Sequence, residues 1–283
     1  MSGLKSIKML KNLDVNTVKS FGDEWTRFDQ SELSAAESEK IFEDYFALFP
    51  WNKLPENATG FDMGCGSGRW AKLMAPRVGH LHCIDPSSAL DVARAALATE
   101  ANVTFHCASV DESPLLPASQ DFGYSLGVLH HVPDTAGAIQ ACVAMLKPGA
   151  PFQVYIYYAF DNRPLLFKLI WRFSDLLRRF VCKLPPKLKH LVTDLFAALV
   201  YFPLARFSLL AERRGFNVGN IPLSYYRNHS FYTMRTDSRD RFGTPLEQRF
   251  TRKAITAMLQ VAGLDEVQFS EREPFWCAVG IKR

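Results

Sequence analysis

Short apolar runs recur through the middle of the chain, each separated from the next by turn residues or by a stretch with helical spacing. Phe61-Asp62-Met63 leads into Gly64-Cys65-Gly66-Ser67-Gly68, and His80-Leu81-His82-Cys83-Ile84 leads into Asp85-Pro86. Val103 to His106, Asp121 to Leu126 and Phe152 to Tyr158 read as three further buried strands. Strands alternating with helices predict a doubly wound α/β fold, with a mostly parallel sheet covered on both faces. Beyond the fifth strand the period changes. Leu165, Leu166, Leu169, Ile170, Phe173, Leu176, Leu177 and Phe180 recur at helical intervals, with Lys168, Arg172, Arg178 and Arg179 on the other face, which predicts an amphipathic helix. Pro185-Pro186 breaks it, and a second apolar helix is expected through Leu188, Leu191, Val192, Leu195, Phe196, Leu199 and Val200 to Pro203. From Leu223 to Arg249 aromatic, histidine and arginine residues interleave with poor periodicity, which predicts loop and edge structure.

The glycine loop carries the first chemical signal. Three alternate glycines at a strand tip let backbone amides approach a ligand closely and accept positive φ, so the loop is built for a nucleotide-like cofactor. A dinucleotide loop would space its third glycine differently, and Asp62 before the first glycine would repel a phosphate while attracting a cationic, amino-acid-like group. Asp85, about twenty residues on, suits the two hydroxyls of a ribose. The runs DMGCGSG, CIDPS, DFGYSLGVLHHVPD and LKPGA agree in order and spacing with class I S-adenosylmethionine-dependent methyltransferases, which the chain resembles over residues 59–158 and again from about Thr251. That resemblance implies a Rossmann-like seven-stranded, mostly parallel sheet with an antiparallel last strand, and S-adenosylmethionine as cofactor. It sets Asp62, Gly64, Cys65, Gly66 and Gly68 beside the methionine part and ribose, and Asp85 and Pro86 at the ribose. Ser109, Val110 and Asp111 would border the adenine, and Leu126 and Gly127 the reacting methyl. Ser109 stands where many relatives carry Asp, which leaves the adenine contact to a backbone amide or to Asp111.

The expected organisation is an N-terminal helical cap (1–58), the cofactor-binding core (59–158), a helical lid and substrate-specificity insertion (159–250) and a C-terminal helix and strand hairpin (251–283). Ser34 and Glu37 form a candidate capping box for a helix through Ile41 to Phe49. Its aromatics, with Trp25, either cover the open side of the sheet or pack on its outside. The chain has 283 residues and a net charge of +4, yet the stretch from Arg163 to Arg214 holds eleven Lys/Arg against Asp175, Asp194 and Glu212, or +8. Three readings of this insertion compete: a helical lid with its apolar stripe facing inward, which is preferred; peripheral contact with an anionic membrane surface; and nucleic-acid binding, which lacks any recognised motif. The uncharged run from Leu195 to Ala205 is too short to span a bilayer and contains Pro203, so no membrane-spanning helix is expected. Six single cysteines show no metal-ligand spacing, so no metal is expected, and no basic segment runs into an apolar stretch as in a secretory signal, so a cytoplasmic protein is expected.

Methyl transfer needs alignment in a dry pocket more than it needs a base. His131, just past the fourth strand, is the first candidate base, with Tyr157 and His229 behind it; alternatively His130 and His131 cap the next helix. Trp25, Tyr45, Phe46, Tyr158, Tyr225 and Tyr226 would surround substrate, and Arg227 and Arg235 would hold an anionic head, unless the arginines instead pair with Asp237, Asp240 and Glu247. The leading expectation is methylation of a small, largely apolar molecule, with carbon methylation of a prenyl diphosphate coupled to cyclisation, as in secondary isoprenoid metabolism, as the foremost case. O- or C-methylation of a quinone precursor, polyketide, lipid or sugar is the alternative, and a non-catalytic, membrane-associated cofactor-binding scaffold is the alternative from another class.

Overall fold

The strands β1 (Thr59–Met63), β2 (His80–Ile84), β3 (Val103–His106), β4 (Phe122–Leu126), β5 (Pro151–Tyr155), β6 (Leu264–Phe269) and β7 (Cys277–Lys282) form one sheet in the order β3-β2-β1-β4-β5-β7-β6. The computed structural model describes residues 12–283, so the first residues of the expected N-terminal cap lie outside the described residues. β1 to β5 are parallel, and β7 runs antiparallel between β5 and β6. The strand order reverses between β1 and β4, which leaves a crevice at their carboxyl ends.

Both faces of the sheet are covered, as continuous apolar strands require. On one face α5 (Thr135–Ala144) and α10 (Arg252–Val261) bring Ile139, Val143, Ile255 and Leu259 against Phe61, Phe152 and Val154. On the other, α2 (Ala35–Tyr45), α3 (Arg69–Met74) and α4 (Ala89–Ala96) bring Phe42, Trp70, Met74 and Leu90 against Leu81, Phe122 and Tyr124. Phe46 belongs to this second core, stacked on Phe42 and edge-on to Tyr124, and is packing rather than pocket. Ser34 caps α2 by accepting from the Glu37 amide. Glu37, however, does not close the capping box; its carboxylate accepts from the Ser230 amide and the Thr233 hydroxyl, joining α2 to a helix far along the chain.

That helix, α9 (Phe231–Gly243), occupies a region expected as loop. Its sequence lacks helical periodicity because it is buried on several sides: it packs against α1 (Val15–Arg27), α6 (Leu165–Val181) and α7 (Pro186–Phe196). Thr233, Met234, Thr236, Ser238, Arg239 and Phe242 are all buried, so no polar face marks it. Arg239 is fully buried and holds α1 to α9 by donating to the Asp23 carboxylate at 2.9 Å and to the Ser20 hydroxyl at 3.3 Å.

Two expectations for the insertion are corrected. First, the second helix does not stop at Pro203. A π turn at Ala197–Tyr201 joins α7 to α8 (Phe202–Arg213), giving one helix of 28 residues from Pro186 to Arg213. The wider turn accommodates the amide that proline lacks. By length and composition this helix could cross a membrane. Its inner face is polar and occupied, however: Lys189 donates to the Gly243 carbonyl, Asp194 pairs with Arg27 and Arg235, and Thr193 accepts from Ser238 through its carbonyl. Second, the apolar stripe of α6 faces outward. The inward positions are Phe167, Trp171, Ser174, Asp175, Arg178 and Val181, and Arg178 anchors the helix by donating to Asp175 and to the carbonyls of Thr244 and Pro245. Polar anchors and a small buried cluster of Val181, Tyr201, Ala205, Met234 and Phe242 took the inner face, and most of the leucines and phenylalanines of the stripe were left in solvent.

Replacing Arg239 with Leu is expected to lower stability by about 3 kcal/mol, because it removes the fully buried cation that faces Glu24 and Asp23 and that donates to the Ser20 hydroxyl. Urea unfolding measures this, and a variant as stable as the parent would refute the latch between α1 and α9.

Candidate active site

A cavity of about 470 Å³ lies beyond the carboxyl ends of β1, β2, β4 and β5. Its floor is the glycine loop, Asp85 and the Leu126-Gly127 turn; α1, α6 and α9 close over it with Phe21, Trp25, Trp171, Asp237 and Asp240. Gly64, Gly66 and Gly68 all have positive φ (80°, 54° and 79°). A Cβ on Gly64 would stand 2.4 Å from the Val128 side chain, which excludes a side chain there for steric reasons as well as conformational ones, and one on Gly66 would make a tight 3.1 Å contact with the Trp25 indole nitrogen. Asp85 holds the loop in shape: one carboxylate oxygen accepts from the Gly66 amide at 2.9 Å, and the other from the Ser87 amide and hydroxyl at 2.8 and 2.6 Å.

This cradle suits a cofactor with an amino-acid part and a ribose. Gly64, Cys65, Gly66, Asp85, Pro86, Ser109, Val110, Leu126 and Gly127 all line the cavity. The expected placements of three others are corrected. Gly68 turns the chain into α3 against Leu97 and Ala93, away from the cavity. Asp111 points to Ser109, whose hydroxyl donates to it at 2.7 Å, and to the Asn12 amide. Asp62 is buried beside Tyr124 and does not line the cavity; burial pushes its carboxyl up to about 8, so it is mostly protonated at neutral pH. Arg69, which the motif reading passed over, lines the cavity with its guanidinium 4.2 Å from the Trp70 ring and 5.5 Å from that of Trp25.

The rest of the cavity wall is built from rings. Trp25, Tyr45, Tyr158, Tyr225 and Tyr226 line the cavity, joined by Phe160, Phe167, Trp171 and Phe275. Arg227 and Arg235 do not: Arg227 pairs with Glu212 at 2.9 Å and Arg235 with Asp194 at 3.2 Å, outside the cavity. Arg241 and Arg249 line the cavity, but both pair with the buried Glu247, which they hold below the usual carboxylate range.

His131 is buried and lines the cavity. Its Nδ1 lies 2.6 Å from the Leu246 carbonyl, which can only accept, so the neutral ring carries its proton there and leaves a lone pair on Nε2. Among the described residues Nε2 has no hydrogen-bond partner. Burial lowers the pKa of His131, against an opposing pull from Asp240, so the ring is neutral at pH 7. Tyr157 lies beside it in the cavity, donates its hydroxyl to Asp240, and is kept protonated by burial and by that carboxylate. His130 stacks behind, 3.9 Å from the rings of both His131 and Tyr157, and does not line the cavity. His229 does not reach the site either; it lies 3.0 Å from the Tyr225 carbonyl and stacks on that ring. Asp237, on α9, is a cavity residue the sequence did not flag; burial raises it to about 6 despite Arg69.

Residues 61–154 match the family model described as a methyltransferase domain. A ubiquinone biosynthesis O-methyltransferase of Hahella chejuensis is 32% identical over 150 residues, which are 50% of this chain and 60% of that protein. Its counterpart of Acinetobacter baylyi is 32% identical over 149 residues, 49% of this chain and 60% of that protein. The match thus covers less than two thirds of these relatives' length. An O-methyltransferase family protein of Burkholderia thailandensis has a TM-score of 0.52 at 12% identity, covering 87% of this chain and 56% of that one, a likeness of fold alone. The chain carries a class I S-adenosylmethionine-dependent methyltransferase domain. S-adenosylmethionine is the cofactor of that domain.

Two outcomes test this site. Gly64→Ala is expected to weaken binding of S-adenosylmethionine and S-adenosylhomocysteine at least tenfold by calorimetry, through the clash with Val128 and the strained φ; undiminished affinity would contradict the cradle. Asp62 is protonated when folded but ionises near 3.8 when unfolded, so its contribution to stability fades as pH rises through about 8. Asp62→Asn should therefore gain stability relative to the parent between pH 4 and pH 8, and parallel pH profiles of unfolding would show that Asp62 is charged in the native state.

Proposed function

We propose that the chain catalyses S-adenosylmethionine-dependent O-methylation of a hydroxyl group on a small, largely apolar ring compound of the quinone-precursor kind. The observation that carries this reading is the unpartnered Nε2 of His131, a neutral base aimed into an aromatic-lined cavity beside the glycine loop. When bound, the cofactor supplies an electrophilic methyl group on a cationic sulfur. Nε2 of His131 takes the proton of the acceptor hydroxyl, and the Leu246 carbonyl holds the ring in the tautomer that can do so. Asp240, near enough to favour the charged imidazolium, stabilises the ring once it is protonated. The aromatic walls exclude water and orient a flat apolar ring.

The relatives support the same chemistry, since they are O-methyltransferases of ubiquinone biosynthesis. Carbon methylation of a prenyl diphosphate draws less support. The arginines meant for its diphosphate, Arg227 and Arg235, lie outside the cavity, and Arg241 and Arg249 are committed to Glu247.

Incubation with labelled S-adenosylmethionine and a panel of catechols, phenols, prenyl diphosphates and sugar nucleotides tests the proposal. Transfer to a prenylated phenol or catechol is the expected result; transfer only to a prenyl diphosphate, or turnover of none, would overturn it. His131→Asn should lower kcat by roughly 10²- to 10⁴-fold. In the parent, activity should rise with pH and level off below about 6.5, the usual histidine value, because burial lowers the pKa of His131. A His131→Asn enzyme with undiminished kcat would remove His131 from the base role.

A further inference from the structure

Of the 22 large apolar side chains that stand exposed among the described residues, 17 fall between Leu165 and Phe216. On α6 they form one stripe, with Leu165, Leu169, Phe173, Leu176 and Phe180 following the helical repeat directly away from the face that packs on the body. Phe173 is 66% exposed and Leu199, on the long helix, 71%. Both helices rest their inner faces on α9, so their outer faces are turned to solvent together. A monomer rarely leaves so large an apolar surface uncovered unless something binds there.

The charges around the stripe say what that partner is. Arg172, Arg179, Lys183, Lys187, Arg213 and Arg214 are exposed around it, whereas Asp175 and Asp194 are paired inward. An apolar face rimmed by cations complements an anionic lipid surface, where the hydrocarbon side chains reach the acyl boundary and the cations meet headgroups. A second copy would bring the same cations face to face. The polar inner face, held by Lys189 and Asp194, restricts the helix to lying along the surface rather than crossing it.

One more observation joins this face to the site. Ile170 and Val200 line the cavity, yet they are 46% and 42% exposed and belong to the outer apolar surface. We infer that the outer faces of α6 and the Pro186–Arg213 helix lie in an anionic phospholipid leaflet, and that the cavity opens to that leaflet at Ile170 and Val200, so that an apolar substrate passes in from lipid. Docking stands by itself; passage of substrate rests on the function proposed above.

Flotation with vesicles tests the docking. The protein should float with equal parts phosphatidylglycerol and phosphatidylcholine, less so at high salt, and poorly with phosphatidylcholine alone. Phe173→Glu combined with Leu199→Glu should reduce flotation at least tenfold, and charge reversal at Arg172 and Lys183 should do so on anionic vesicles. Neither variant touches the cavity, so unfolding temperature and S-adenosylmethionine affinity should match the parent. No flotation, or flotation indifferent to these changes, would overturn docking; a dimer in sedimentation that the Phe173→Glu/Leu199→Glu variant dissolves would assign the face to a second copy. For passage, the same variant should lose turnover of a long-tailed phenol held in vesicles but keep that of a short-tailed soluble analogue. Equal loss on both, or none, would overturn it. A parent inactive on both would defeat the proposed function while leaving the flotation result to decide docking.

Discussion

The bond between the Asp85 carboxylate and the Gly66 amide governs the cofactor end of this molecule. It joins the tips of two neighbouring parallel strands, and it holds a loop of positive-φ glycines where a side chain at Gly64 would collide with Val128. Asp62, on β1 two residues before Gly64, is deprived of solvent and kept mostly protonated at neutral pH. The same carboxylate of Asp85 stays at the cavity wall, where a ribose could share it.

Everything above that loop exists to cover it. A parallel sheet leaves its carboxyl edge open, and here the cover is α1 and α9, latched together by Arg239, with α6 and the long helix leaning on α9. The cover buries titratable groups at the cavity: Glu24, which burial pushes toward its neutral form, and Asp237 lie near Arg239 of the cover and Arg69 of α3, and Glu247 pairs with Arg241 and Arg249. Within this shell Nε2 of His131 is left with a lone pair and no partner, which is a costly state for a buried polar atom in an idle core and a useful one beside a reacting hydroxyl.

The insertion obeys a different economy. Its inner face is spent on polar anchors such as Arg178, Lys189 and Asp194, and its apolar residues are displayed. An amphipathic helix has two faces, and the core takes whichever one the neighbouring surface complements. Here α9 and the Thr244-Pro245 turn offered carbonyls and the Arg235 guanidinium, with only a small apolar patch at Met234 and Phe242.

Local pattern alone determined the first five strands, the glycine loop, Asp85 and the His131 position, because a parallel core and a cofactor turn impose constraints that neighbouring residues must meet together. It also determined that Leu165 to Phe180 is a helix with one apolar face. Tertiary structure decided which way that face points, that Pro203 sits inside a helix rather than at its end, and that Phe231–Gly243 is helical at all. Periodicity reports contrast between two environments, so it is silent for a segment surrounded on every side, and it cannot tell an inward face from one reserved for another surface. The same reason hid Asp237 and Asp240, whose place in the cavity follows from the packing of α9 and from nothing beside them in the chain.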